Sequence, residues 1–311
     1  MKALQKTAIS AAAVALLTGL SSISAFAEEA AAEAPEVSPI TANVTVVNDY
    51  RYRGLSQSNF KPAIQGGFDY AHESGFYIGN WNSSISWISD YYGPTGGLAG
   101  KAGTSVSTRV SAPNEMDFYA GFKKELIGEG FASDIGVLQY YYPTSGIPNT
   151  AGATANPNTT EIYAAQNFTF GPVTGFAKVS YAVTTLFGTV NSTGSYYPDL
   201  TLNYDTGVWG LALNGHIGYQ YVAGNAITSG AACATYYATG NCVASGSSNS
   251  TLMSYTDYKL GITKDFGGGL SGSAAYVGTN APTFKGGYSY SSPSGNNLGK
   301  SGAVVSLTKT F

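Results

Sequence analysis

Ser301-Gly-Ala-Val-Val-Ser-Leu-Thr-Lys-Thr-Phe311 is the stretch whose reading decides the fold. Counting back from Phe311, every second position is Leu307, Val305 and Ala303, interrupted only by Lys309, while Thr310, Thr308 and Ser306 take the alternate positions. That period of two belongs to a β-strand with one oily face and one polar face. An aromatic residue closing such a strand is the pattern of the last strand of an outer-membrane β-barrel. The expectation is therefore an all-β chain, a transmembrane antiparallel up-and-down barrel, whose function lies in what crosses it.

The other end of the chain fits this reading. Lys2 and Lys6 precede an apolar run over residues 8–20, and Ala25-Phe26-Ala27 offers a small-x-small cleavage site, so residues 1–27 read as a secretory signal peptide. The run is too short to span ~30 Å of hydrocarbon as a helix. Residues 28–40 carry Glu28, Glu29, Glu33 and Glu36 among alanines and prolines and read as a disordered periplasmic linker, leaving residues 41–311 for the barrel. Without the signal the chain holds 13 basic and 18 acidic residues. It has no basic patch of the kind a nucleic-acid partner needs. Only 11% of residues are charged, against about a quarter in water-soluble domains. Forty glycines and 24 tyrosines complete a composition that alternating lipid-facing and water-facing strands produce. A β-solenoid adhesin would share it but would show a short repeat, and no such repeat is present.

About twelve alternating segments follow. The first, residues 44–54, puts Val44, Val46, Tyr50 and Tyr52 on one face and Thr45, Val47, Asp49, Arg51 and Arg53 on the other. The second sets Phe60, Pro62, Ile64, Phe68 and Tyr70 against Lys61, Ala63, Gln65 and Asp69, and the third offers Tyr77, Trp81, Ile85 and Trp87 as its oily face. Connections alternate in length: five short turns (72–75, 126–130, 171–175, 205–208, 266–269) and six longer Gly/Ser/Asn/Pro-rich loops (55–59, 89–114, 143–160, 188–195, 223–253, 280–300). Twelve antiparallel strands with both ends in the periplasm and the long loops outside require this sorting, whereas a soluble sandwich does not. Lys124, Lys264 and Lys309 fall on the oily face near the periplasmic strand ends, where lysine can reach water. Asn48 and Gln166 fall nearer mid-strand without an evident reason. Tyr50, Tyr52, Trp81, Trp87, Trp209 and Tyr221 are placed for interfacial girdles.

From Val44 onward the chain resembles the TorF-family putative porins of Gram-negative outer membranes. The resemblance is carried by Asn48-Asp-Tyr-Arg-Tyr-Arg-Gly-Leu-Ser-Gln57, Gln65-Gly-Gly-Phe-Asp-Tyr70, Ser74-Gly-Phe-Tyr-Ile-Gly-Asn-Trp81, Glu115-Met-Asp-Phe-Tyr-Ala-Gly121, Asp134-Ile-Gly136 with Tyr140-Tyr-Tyr-Pro143, and Tyr255-Thr-Asp-Tyr-Lys-Leu-Gly261. It implies a barrel and a pore, and transfers no substrate and no catalytic residue.

Pore-lining candidates follow from parity: Asp49, Arg51, Arg53, Lys61, Asp69, Asp117, Glu161, Lys178, Asp257 and Lys259. Arg51, Arg53 and Lys61 could face acids such as Asp117 across a constriction, or the same charges could form a structural salt-bridge ladder. Cys233 and Cys242, in the longest loop of an exported chain, read as a disulfide. Phe311 reads as the assembly signal for the barrel assembly machinery. His216 is the one enzyme candidate, since lipid-hydrolysing barrels use Ser/His/Asn groups, but parity turns it inward, away from acyl chains. The expected function is a porin-like channel for passive diffusion of small hydrophilic solutes, set in outer-membrane lipid, with no catalytic residue, metal or other cofactor. A structural or adhesin-like barrel binding through its loops, and a lipid hydrolase, are the alternatives.

Overall fold

The computed structural model describes residues 38–92, 110–147, 156–226, 234–235, 242–243, 246–284 and 287–311. The expected signal peptide and nearly all of the expected linker lie outside the described residues, as do Cys233 and the side chain of Cys242, and with them the expected disulfide. Twelve strands form one closed barrel. They are β1 Ile40–Val47, β2 Ala63–Ala71, β3 Phe76–Ser84, β4 Asn114–Gly128, β5 Phe131–Tyr141, β6 Thr159–Phe170, β7 Val173–Ala182, β8 Tyr196–Asp205, β9 Leu211–Gln220, β10 Tyr255–Gly267, β11 Leu270–Thr279 and β12 Gly302–Thr310. Each pairs antiparallel with its sequence neighbours, and β1 closes on β12 with Val46 opposite Leu307 and Thr45 opposite Thr308. Closure leaves no open sheet edge.

Connections at one end are tight: residues 129–130 join β4 to β5 and residues 171–172 join β6 to β7. Those at the other end are long and hold two short helices, α1 Trp87–Tyr92 and α2 Asn249–Met253. No helix among the described residues is long and apolar enough to cross a membrane.

The outer wall is apolar around its whole circumference. Ile64 on β2, Ile135 on β5, Leu200 on β8, Leu260 on β10 and Val305 on β12 are all exposed, Leu260 at 71%. Soluble monomers rarely show contiguous apolar patches beyond a few hundred Å². Inward positions on the same strands are buried and polar: Gln65, Asp69, Asp117, Glu161, Thr201, Asn214 and Asp257. A wall with this alternation separates oil outside from polar groups inside.

Two segments depart from the alternation. β1 starts at Ile40 and ends at Val47, seven residues before the expected end, and residues 49–59 leave the wall for the lumen, where Arg51–Tyr52 pairs with Leu55–Ser56 as a small hairpin. Tyr50 is therefore buried, and Tyr52 packs inside against Tyr140. On β3 the expected parity is inverted: Phe76 and Ile78 are exposed, while Tyr77 and Trp81 are buried in the lumen. Trp87 belongs to α1 and packs on Tyr142. Neither Tyr50, Tyr52, Trp81 nor Trp87 contributes to a girdle. The physical reason is shared: a barrel of roughly 24 Å must fill much of its interior with bulky rings, so an aromatic side chain does not report which face meets lipid.

The polar residues on the oily face find partners. Asn48 follows the end of β1, where its amide donates to the Ala303 carbonyl at 3.2 Å and its side-chain oxygen accepts from the Val305 N–H at 2.7 Å, lengthening the seam. Gln166 accepts from Ser133 Oγ at 2.8 Å. Lys264 donates to the Trp209 carbonyl and Lys309 to that of Gly268, both in short turns.

Candidate functional site: the lumenal constriction

Crossing the lumen, the segment 49–59 touches β4, β5, β6, β9 and β10. At its base Asp49 accepts from Arg51 Nε and from Ser56 Oγ, both at 2.5 Å. Arg51 also donates to the carbonyls of Gly54 at 2.9 Å and Lys300 at 2.9 Å, tying the hairpin to the loop before β12. Tyr50 reaches β4, where its hydroxyl donates to Glu115 at 2.5 Å; Tyr142 donates to the other oxygen of Glu115 at 2.7 Å. At the tip Arg53 has a φ of 46° and Gly54 a φ of 77°. The left-handed conformation suits glycine and is uncommon for arginine. A Cβ on Gly54 would lie 2.7 Å from the Cβ of Asp257, so the tip also seats against β10.

The turn places the Arg53 guanidinium across the lumen. It donates to Glu161 on β6 at 2.7 Å and to Gln220 on β9 at 2.5 Å, and its plane lies over the rings of Tyr52 and Tyr197 at 4.9 and 4.2 Å. This salt bridge is nearly fully buried, with 6% of the Arg53 side chain and 2% of that of Glu161 exposed. Below it His216 is clamped between Asp199 at 3.0 Å on Nδ1 and Asp257 at 2.8 Å on Nε2. Tyr197 donates to the second oxygen of Asp257 at 2.8 Å. The Thr201 and Tyr197 hydroxyls lie 3.1 Å from Nδ1 and Nε2, so both ring nitrogens are engaged. His216 thus faces the lumen as part of a charge ladder.

Four lumenal tyrosines each lie over a glycine of an adjacent strand. Tyr77 covers Gly121, Tyr119 covers Gly79, Tyr163 covers Gly136 and Tyr197 covers Gly218, and any side chain at those glycines would collide with the ring. Three of the hydroxyls meet acids: Tyr77 donates to Asp134 at 2.7 Å, Tyr119 to Asp69 and Tyr197 to Asp257. Lys178 lies 4.7 Å over the Tyr163 ring. Replacing Gly136 by alanine would put a methyl 2.5 Å from the Tyr163 hydroxyl and 2.7 Å from the Ala120 carbonyl. The expected cost is about 1–3 kcal/mol, read as a lower urea midpoint of the refolded barrel, and Tyr163→Phe should return only part of it because the ring remains.

Several inward polar atoms lack a protein partner: Gln65 Oε1, Asp69 Oδ2, Asp117 Oδ1, Lys123 Nζ and Asp134 Oδ2. With Thr41 Oγ1, Asn43 Nδ2 and Ser180 Oγ, these atoms belong to β1, β2, β4, β5 and β7, whereas the ladder of Asp199, His216 and Asp257 lies on β8 to β10. The lumen therefore has a saturated wall and a wall with spare hydrogen-bonding capacity.

The ten parity-derived candidates sort accordingly. Arg53 and Glu161 meet directly, as do Asp49 and Arg51. Asp69, Asp117, Lys178 and Asp257 are buried in the lumen, and Lys259 occupies the inward parity of β10. Lys61 is exposed, so it does not face Asp117 across the lumen. Arg51 and Arg53 also do not face Asp117; they pair with Asp49 and Glu161. Parity also turns Glu115 and Asp199 inward, whereas Asp134 and the tyrosine set were missed as parts of the same network. Their signal was the unusual density of tyrosine on inward parity.

Above the hairpin, α1 and the loops enclose a cavity of about 150 Å³. Its rings are Tyr52, Trp87, Tyr91, Tyr92, Tyr142, Phe187, Tyr255 and Tyr290, with Asp90 among them. Burial pushes the Tyr92 phenol up to about 12, so it stays neutral. Among the described residues no group of three or more His, Cys, Asp or Glu side chains is arranged to hold a metal ion.

A family model described as a bacterial protein of unknown function (Gcw_chp) matches residues 29–236 and 232–311. No curated protein sequence matches the chain. Among solved structures, the KdgM porin is 6% identical with a TM-score of 0.44, over 88% of this chain and 98% of that one. OccD3 (OpdP) of Pseudomonas aeruginosa is 12% identical with a TM-score of 0.38, over 86% of this chain and 60% of that one.

Proposed function

The chain belongs to the Gcw_chp family of bacterial proteins of unknown function, and we propose that it is an outer-membrane channel through which small hydrophilic solutes diffuse passively. The observation that carries this reading is the two-sided wall, apolar outward on all twelve strands and polar inward. Such a wall is stable only with hydrocarbon on one side and water or polar groups on the other. The blocks resembling TorF-family porins support the same reading. The short turns then face the periplasm and the long loops the exterior. The hairpin around Arg53 is the constriction, and the wall of β2, β4 and β5, with its spare polar atoms, lines the solute path.

Planar-bilayer recording of the refolded chain tests this. Discrete current steps are expected. A correctly folded protein that never conducts would turn the reading toward a sealed structural barrel binding through its loops. His216, locked between two carboxylates on the inner wall, gives no support to lipid hydrolysis.

Phe311 is exposed, and its N–H donates to the Ala42 carbonyl at 2.9 Å, so the terminal residue also finishes the β1–β12 seam. As an assembly signal it acts before folding ends. Phe311→Ala should reduce outer-membrane yield in cells while leaving the urea midpoint of protein refolded in detergent within about 1 kcal/mol, because surface side chains contribute little to equilibrium stability. An equal loss in both settings would assign Phe311 a structural role only.

A further inference from the structure

The cavity above the hairpin is lined by eight aromatic rings, set edge to face rather than stacked. Trp87 meets Tyr142 at 88°, Tyr91 meets Tyr92 at 85°, Tyr52 meets Phe187 at 80° and Tyr255 meets Tyr290 at 74°. In each such pair the two ring planes stand across one another, so the lining is not a single flat stack. Among the described residues of the lining the single charged group is an acid, Asp90, which accepts from Ser86 Oγ at 2.8 Å through one oxygen. The Tyr142 hydroxyl donates to Glu115, which makes its ring more electron-rich. Arg53, the nearby cation, stacks over Tyr52 but donates its hydrogen bonds to Glu161 and Gln220, of which only Gln220 belongs to the lining.

From this we infer that the cavity is a binding site for a small organic cation, a quaternary or methylated ammonium group held by aromatic faces and by the carboxylate of Asp90. Ring faces carry negative potential, and such cations are weakly hydrated, so they give up little water on entering. About 150 Å³ holds roughly five water-sized groups. A tetramethylammonium ion consists of one nitrogen and four methyl groups. An anion would meet the Asp90 carboxylate, which repels it, and a metal cation would find that one carboxylate alone among the described lining residues. The site needs only the folded barrel, so it stands whether or not the channel reading holds.

The test compares two molecules of one shape on the full refolded protein: choline and its neutral isostere 3,3-dimethyl-1-butanol. Binding is followed by calorimetry and by tryptophan emission, since Trp87 lines the site. Choline is expected to bind at least about tenfold more tightly than the isostere. Asp90→Asn, which keeps the shape of the side chain, should weaken choline up to about fivefold and leave the isostere unchanged. A Trp87→Phe variant keeps a ring and should keep binding while losing the emission change, which separates site occupancy from an unfolded loop. Equal binding of the two molecules, preference for an anion of the same size such as neopentyl sulfonate, or no choline binding at tens of millimolar would each overturn the inference. Conductance recorded on the same preparation reports on the channel reading separately.

Discussion

Arg53→Ala should open the constriction. The guanidinium joins the hairpin to β6 and β9 through Glu161 and Gln220, and both partners are buried. Removing one side of a buried ion pair leaves the other charge without compensation, a loss of about 3–5 kcal/mol. The barrel's own ladder does not involve this pair, so the hairpin gives way first and Glu161 gains water. Single-channel conductance should rise, and the urea midpoint should fall. Arg53→Met combined with Glu161→Met removes both charges and should recover most of the stability. If the single variant conducts like the parent chain, the hairpin is not the narrowest point of the lumen.

The second large effect concerns the outer face. Leu260 is 71% exposed near the middle of β10, with Tyr258 and Ile262 beside it on the same side. If that side meets acyl chains, Leu260→Arg places a guanidinium in hydrocarbon, at a cost of about 2–4 kcal/mol near the midplane. Refolding into lipid vesicles should become that much less favourable. Leu270→Arg, on the same face beside the short turn after β10, should cost much less, because its head can reach the water. Equal costs at the two depths would mean that no hydrocarbon slab surrounds the wall.

Much of the fold is legible in the chain, because a two-sided wall imposes a period of two and because only hairpin-linked barrels sort connections into short and long. Residues 303, 305 and 307 on β12 show this directly: each is apolar, and each faces outward. The same rule fails at Trp81. Its segment has rings on both parities, and the lumen needs bulk as much as the lipid side does. It fails again at residues 48–54, where Asp49, Arg51 and Arg53 alternate with Tyr50 and Tyr52 as a strand would. Only tertiary pairing, of Arg53 with Glu161 and of Tyr50 with Glu115, decides that this stretch crosses the lumen. The clue available beforehand was the Arg53-Gly54 pair, since glycine marks a turn more often than the middle of a strand. Partners 65 and 108 positions away leave no local trace. Asp199, His216 and Asp257 likewise meet only because β8, β9 and β10 lie side by side.

The most direct test of the central claim follows alternation along one strand in a real bilayer. Nitroxide labels are attached one at a time to cysteines replacing Tyr258, Leu260 and Ile262, or Lys259, Gly261 and Thr263, with Cys233 and Cys242 changed to serine and the barrel refolded in lipid vesicles. Labels of the first set should be relaxed by oxygen dissolved in the membrane, and those of the second by a water-soluble nickel chelate. Relaxation by nickel at Leu260, or by oxygen at every position alike, would contradict a wall with lipid on one side and a polar lumen on the other.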